Sequence, residues 1–181
     1  MVRGLNAEIR RLELETQVRA RLSPASGVVL DTSAHRLKAW YPASVSDEFL
    51  DAVKDLRSRD TVRTMGHEVM KNGIGLVLAP LLDLWLQFAE VGPAALLSRV
   101  HIAAPLVLRG MGFEWVPGDA RRGVMILRCE DCMRDSTWAL WEGVLHYAFD
   151  LTHVKGTVSP ARPAGDGRSA EIDVSWEPPT A

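Results

Sequence analysis

Two cysteines and two histidines late in the chain have the residue types, and part of the spacing, of a zinc site. Cys129 and Cys132 form a C-x-x-C, and His146 and His153 complete the pattern C-x2-C-x13-H-x6-H. Thiolate sulfur and imidazole nitrogen are the usual ligands of structural zinc. Seven helical positions separate the two histidines by about 10 Å, too far for one tetrahedral ion unless the helix ends between them. We therefore expect no metal at these four residues, and zinc is the alternative.

The same C-x-x-C could carry out redox chemistry, since such motifs occur at the turn that leads into a helix. Here the residues between the cysteines are Glu130 and Asp131. Neighbouring negative charge raises the pKa of a thiol and weakens it as a nucleophile. We expect Cys129 and Cys132 to be structural thiols, with a thiol oxidoreductase as the enzymatic alternative.

The remaining polar motifs do not form a catalytic pattern. His67-Glu68 lacks the second histidine of H-E-x-x-H, because Lys71 stands in its place. His101 lies in a largely apolar stretch, where a histidine is more often a core or interface residue than a ligand. The sequence has no glycine-rich phosphate loop, nucleophile elbow or Ser-His-Asp order. These observations predict a protein that is not an enzyme.

Composition indicates a globular domain with a substantial core. The chain has 181 residues, of which 47% are hydrophobic, and it contains six tryptophans. A net charge of −2 does not provide the basic surface that nucleic acid requires. Two cysteines are too few for a disulfide framework, and charged residues interrupt the N-terminal segment, which therefore does not resemble a signal peptide. We expect a cytoplasmic protein without membrane insertion.

The strands and the helix predicted around these residues indicate an α+β fold. Residues 113–116 and 124–129 read as a hairpin, and residues 154–159 and 172–176 alternate like half-buried antiparallel strands. Between the two strand pairs, residues 136–151 have the apolar spacing of a helix. We predict an N-terminal helical layer packed on one face of a small antiparallel sheet of about four strands.

The predicted helix 136–151 contains one glycine, Gly143. Glycine inside a helix costs about 1 kcal/mol relative to alanine, so its presence predicts close packing against another element.

Everything before residue 111 is predicted to belong to the helical layer of a single domain, 1–177, followed by a tail, 178–181. Its N-terminal part, 1–45, is helical or irregular, with a helix at 6–22 that ends at 23–27. Its second part, 46–110, carries further helices.

One predicted helix, 74–91, is apolar on nearly all sides. Asp83 and Pro80 interrupt it before it could span a bilayer, which makes it a buried helix rather than a membrane span. It has more apolar surface than a small sheet can cover. We therefore expect a homodimer, or another protein partner, through the helices of residues 61–110.

Five short motifs appear in an order that resembles a known family. They are Tyr41-Pro42, Met65-Gly66-His67-Glu68, Arg109-Gly110-Met111-Gly112, Trp141-Glu142-Gly143-Val144-Leu145 and Ile172-Asp173-Val174-Ser175-Trp176. Over roughly residues 10–177, the chain resembles a family of uncharacterised bacterial paralogues best known from myxobacteria. More distantly it is similar to the superfamily of haem nitric-oxide sensors, 4-vinyl-reductase-type ligand domains and TRAPP trafficking subunits. The resemblance implies the α+β fold and, as in TRAPP-like proteins, pairing through helices.

The haem sensors of this superfamily have residues that this chain lacks. Their histidine precedes a Ser-Arg-Val-like segment, whereas Leu97 precedes Ser98-Arg99-Val100 here. Their Tyr-x-Ser-x-Arg signature, which holds the haem propionates, corresponds to Glu130, Cys132 and Arg134. Leucine cannot ligate iron, and glutamate repels a propionate carboxylate. The resemblance therefore implies the fold, while these residues predict no haem and no other cofactor.

These observations predict a non-enzymatic signalling or regulatory domain without haem. It would act through protein contacts or through a small apolar ligand held between the helices and the sheet. A haem- or zinc-dependent sensor domain is the alternative. Candidate residues for the ligand pocket are Leu84, Trp85, Phe88, Leu97, His101, Trp138 and Trp141.

Overall fold

The computed structural model describes residues 1–33, 40–74 and 92–178, and in these ranges most of the helices precede the strands. A π-helical turn, Met70–Ile74, follows the fifth helix directly. The predicted helix 74–91 lies outside the described residues except for its first position. The helices are α1 (Val2–Arg11), α2 (Glu15–Arg19), α3 (Pro24–Asp31), α4 (Ala43–Leu56), α5 (Arg59–Val69), α6 (Pro93–Leu97), α7 (Val100–Val107) and α8 (Asp135–Thr152).

The strands form one antiparallel sheet, which confirms the predicted α+β architecture. Its order is β1-β2-β5-β3, and β4 also pairs with β5. The sheet therefore has five strands rather than about four. The additional strand has only two residues, too few to show alternation in the sequence, and one of them is proline. The strands are β1 (Met111–Pro117), β2 (Arg122–Cys129), β3 (Gly156–Val158), β4 (Arg162–Pro163) and β5 (Ser169–Trp176).

The core lies between the sheet and the helices, with α8 at its centre. Alternate residues of β2 and β5 are fully buried, as the period of two in a strand requires when one face meets the core. The side chains that α8 contributes include Trp138, Leu140 and Trp141, each at most 3% exposed. The predicted hairpin 113–129 and the predicted helix 136–151 are thus both observed, as β1–β2 and α8.

The N-terminal helices differ from the prediction at two points. The predicted helix 6–22 is two helices, because Glu13 takes a left-handed conformation with φ 57° between α1 and α2. The predicted break at 23–27 is instead the start of α3. Ser23 Oγ accepts the N–H of Ser26 at 3.3 Å, and Pro24 occupies the first helical position. Serine and proline are common both just after the end of one helix and at the start of the next. Their presence alone therefore does not show whether a helix ends or begins there.

No helix in the described ranges combines the length and the apolar character needed to cross a membrane.

Candidate functional site

The predicted pocket residues that the structure describes do not all lie together. Leu97, Trp138 and Trp141 are buried in the core between the helices and the sheet, each 2–3% exposed. His101 lies on α7, where its ring is exposed and Nδ1 is 2.7 Å from the carbonyl oxygen of Ser98. The other three candidates, Leu84, Trp85 and Phe88, lie outside the described residues.

Trp141 has a polar group without a partner in this core. Its ring packs edge-to-face on Phe113 of β1, with centroids 5.2 Å apart. Within the described part of the chain, its buried indole Nε1–H donates to no acceptor. A buried donor without an acceptor costs about 1–3 kcal/mol. A ligand with an acceptor oxygen or nitrogen would satisfy this group.

The two cysteines point to different partners. Cys129 Sγ lies 3.2 Å from Met133 Sδ, whereas Cys132 Sγ lies 3.2 Å from the carbonyl oxygen of Asp166. Burial raises the pKa of the Cys129 thiol to about 11. At neutral pH almost all of this group is therefore the unreactive thiol, which supports a structural role rather than a redox one.

The two histidines of the zinc pattern are also separated. His153 is exposed and ends α8 in a left-handed conformation, with φ 52°. His146 packs against His67 of α5, and their ring centroids are 5.8 Å apart. In the described ranges, the His, Cys, Asp and Glu side chains that form a group with metal-ligating spacing are His67, His146 and Asp150. The C-x2-C-x13-H-x6-H residues do not form such a group.

Two glycines bring α5 and α8 into backbone contact and so position this group. A Cβ on Gly143 would lie 1.8 Å from the carbonyl oxygen of Arg63, and one on Gly66 would lie 2.0 Å from that of Leu140. Only glycine fits at both positions. This confirms the close packing that was predicted at Gly143. The contact places His67, next to Gly66, opposite His146.

Within the group, His67 is the central residue. Its Nε2 lies 2.9 Å from Asp150 Oδ2, and its Nδ1 lies 3.4 Å from Glu68 Oε1. The possible ligand atoms of His67, His146 and Asp150 all lie within 4.8 Å of one another. Glu68 is itself oriented by the side-chain amide of Asn72, which donates to Oε2 at 2.9 Å.

The surroundings of His146 favour its neutral form. Burial lowers its pKa, and the neighbouring His67 and Arg63 lower it further against the opposing effect of Asp150. A neutral imidazole has a free lone pair, as metal binding requires. The sequence pattern grouped His146 only with the cysteines, as the alternative zinc site, considered His67 only as an incomplete H-E-x-x-H, and did not single out Asp150. The spacing of His146 and Asp150, four positions apart on one helical face, was the available signal.

A second polar contact joins the first turn of α5 to α8. The carboxylate of Glu142 is completely buried, and its oxygens accept hydrogen bonds from Arg59 Nη1 and Nη2 at 2.9 and 2.5 Å. Glu142 Oε1 also accepts the backbone N–H of Ala161 at 2.7 Å. Arg59 Nε donates to Asp135 at 3.0 Å. These bonds raise the pKa of Arg59, with the Glu142 bonds as the largest cause.

Comparison with solved structures identifies the architecture. The unliganded Fe(II) H-NOX protein from K. algicida superposes with a TM-score of 0.73 at 14% identity, covering 99% of this chain and 95% of that protein. A point mutant of the T. tengcongensis H-NOX gives 0.67 at 14% identity, with 99% and 97% covered. This chain has the H-NOX fold. The identities are too low to transfer a function.

A third structure of the same fold is an oxygen-binding H-NOX domain related to soluble guanylate cyclases. It superposes with a TM-score of 0.63 at 13% identity, covering 97% of this chain and 93% of that domain. No protein-family model and no curated protein matches the chain.

Haem is the group that the H-NOX fold implies, since one matching structure addresses haem distortion in that family. The residues that the sequence resemblance assigns to its binding positions do not fit it. Leu97 is a buried hydrocarbon side chain without a lone pair for iron. Arg134 forms an ion pair with Asp51, so its charge is already matched. Glu130 is exposed beside Gly110 and would add negative charge near a propionate.

Proposed function

We propose that this H-NOX-fold chain is a non-enzymatic signalling or regulatory domain that works without haem. The proposal depends on Leu97, a core residue that is 2% exposed and that the sequence resemblance assigns to the position of the haem sensors' iron-ligating histidine. A sensor fold without its iron ligand keeps the rigid helix-on-sheet scaffold. It can then respond to other ligands or to a partner protein.

The proposed ligand is small and largely apolar, with one hydrogen-bond acceptor. The supporting observations are the apolar surroundings of Trp138 and Trp141 and the unpartnered indole N–H of Trp141. Apolar pockets with a few placed polar groups are typical of small-molecule sites. The raised pKa of Cys129 argues against the thiol oxidoreductase alternative.

The first prediction concerns haem. The purified protein should be colourless, and titration with haemin should give no stoichiometric Soret band, because Leu97 offers no ligand to iron. The K. algicida H-NOX protein, treated in parallel, is the positive control. A stoichiometric Soret band that disappears in His101→Ala would contradict the proposal, since His101 follows Leu97 by four positions and could then be the iron ligand.

The second prediction concerns assembly. We propose that the chain forms a homodimer through the helices of residues 61–110, where Ile102 on α7 is 53% exposed. Ile102→Glu should shift the mass measured by light scattering from dimer to monomer, because a charge at an apolar interface is costly to bury. Val28→Glu is the matched control, since Val28 is 62% exposed on α3 outside that range. A wild-type protein that is monomeric at tens of micromolar would refute the dimer.

A further inference from the structure

We propose that His67, His146 and Asp150 bind a divalent transition-metal ion of the zinc class, with the fourth coordination position open to solvent. Two imidazoles and one carboxylate are a ligand set that zinc and similar ions accept, and three protein ligands leave one position for water. The proposal concerns a different part of the molecule from the haem positions. It does not depend on the signalling function proposed above.

The strongest argument is the position of His67 between two carboxylates. One ring nitrogen faces Glu68 at 3.4 Å and the other faces Asp150 at 2.9 Å. A cation coordinated by His67 Nε2 and Asp150 Oδ2 would replace the contact between these two atoms and leave Nδ1–H to donate to Glu68.

Glu68 then has the role of an outer carboxylate that orients a metal-ligating histidine. Such carboxylates set the tautomer of the ring and increase its basicity as a ligand. The amide of Asn72 holds Glu68 in place from the other side, at 2.9 Å. The contacts from Asn72 to Glu68 and from Glu68 to His67 thus fix which nitrogen of His67 faces Asp150.

The other ligands are held on one face of α8. His146 and Asp150 are four positions apart, so their side chains project from the same face of the helix. The helix ends two residues later, at Thr152, and the carbonyl end of a helix favours positive charge.

The present distances require only small side-chain movements around an ion. Zinc–ligand distances of 2.0–2.1 Å in a tetrahedron place neighbouring ligand atoms roughly 3.4 Å apart. The His67–Asp150 pair, at 2.9 Å, has to open by about 0.5 Å, and the other ligand atoms, all within 4.8 Å of one another, have to move closer together. Rotation of side chains can supply the difference, since Asp150 is 43% exposed and His67 20%.

Isothermal titration of tag-free protein with Zn²⁺ tests the site. We expect one ion per chain in the wild type and an affinity loss of about 100-fold or more in His67→Gln and in His146→Gln. Glu68→Gln should lose about 10-fold, as is usual for an outer carboxylate. Cobalt(II) should give d–d absorption bands without a thiolate charge-transfer band. Circular dichroism without metal shows whether each variant is folded.

Two control variants separate this site from the other metal arrangement in the sequence. His153→Asn should bind zinc like the wild type, because His153 is exposed and asparagine accepts its left-handed conformation. Cys129→Ser with Cys132→Ser should also retain binding. The proposal is overturned if the wild type binds no zinc at micromolar concentrations, if both histidine variants bind normally, or if the double serine variant loses the ion.

Discussion

Arg59→Met is expected to lower the free energy of unfolding by about 3–5 kcal/mol, the usual cost of breaking a buried ion pair from one side. The reason is that Glu142 is completely buried, so the substitution leaves a carboxylate without its counter-ion and away from water. Arg59 itself is 30% exposed and loses less when its partner is removed. Urea unfolding followed by circular dichroism measures the change as a lower midpoint.

Two further variants decide whether charge is the cause. Adding Glu142→Gln to Arg59→Met should recover at least half of the loss, because glutamine removes the charge and still accepts the N–H of Ala161. Arg128→Met should cost about 0–1 kcal/mol, since Arg128 pairs with Glu114 at the surface. If Arg59→Met and Arg128→Met had equal effects, the buried pair would not be the important contact.

Gly143→Ala is expected to lower the free energy of unfolding by about 2 kcal/mol. Overpacking costs about 1–3 kcal/mol and occasionally more, and we expect about 3 kcal/mol here because the new Cβ meets the carbonyl oxygen of Arg63 at 1.8 Å, a backbone atom that cannot rotate away. Alanine's better helix propensity returns about 1 kcal/mol. Gly66→Ala, which faces the carbonyl oxygen of Leu140 at 2.0 Å, should behave in the same way.

The matched control is Gly165→Ala, because a Cβ at Gly165 would contact nothing within 4 Å. We expect a change within about 0.5 kcal/mol for this variant, as for most surface substitutions. Since Gly66 and Gly143 also set the separation of α5 and α8, their alanine variants should bind zinc more weakly under the metal proposal. A Gly143→Ala protein as stable as the wild type would show that the two helices have room to separate.

The parts of the fold that were predictable are those with a strong local pattern. The hairpin β1–β2 and the strand β5 alternate apolar and polar residues, and α8 carries its tryptophans at helical spacing. A regular spacing of apolar residues indicates that one face of the element is buried, and it can be recognised in the local sequence alone. The close approach at Gly143 was predictable for the same reason, because an isolated glycine inside a strongly patterned helix needs a packing explanation.

Elements whose apolar residues have no regular spacing were harder to predict. The two-residue strand β4 exists because Arg162 and Pro163 pair with Glu171 and Ala170 of β5, a partner that no local pattern reveals. Ser23-Pro24 begins α3, whereas the sequence pattern predicts the end of the preceding helix there, since serine and proline are common at both places.

The fold class followed from the amino-acid sequence alone, and the sequence also predicted that Leu97 provides no iron ligand and that Cys129 and Cys132 are not a redox centre. Each of these depends on residue identity or on local spacing. The packing of α5 on α8 was needed to show that His146 faces His67 rather than the cysteines, and that Glu142 faces Arg59. In the contacts His67–Asp150 and Arg59–Glu142 the partners are 83 positions apart. The pairing follows from the contact of Gly66 and Gly143 with the facing backbones, because that contact sets which faces of α5 and α8 meet.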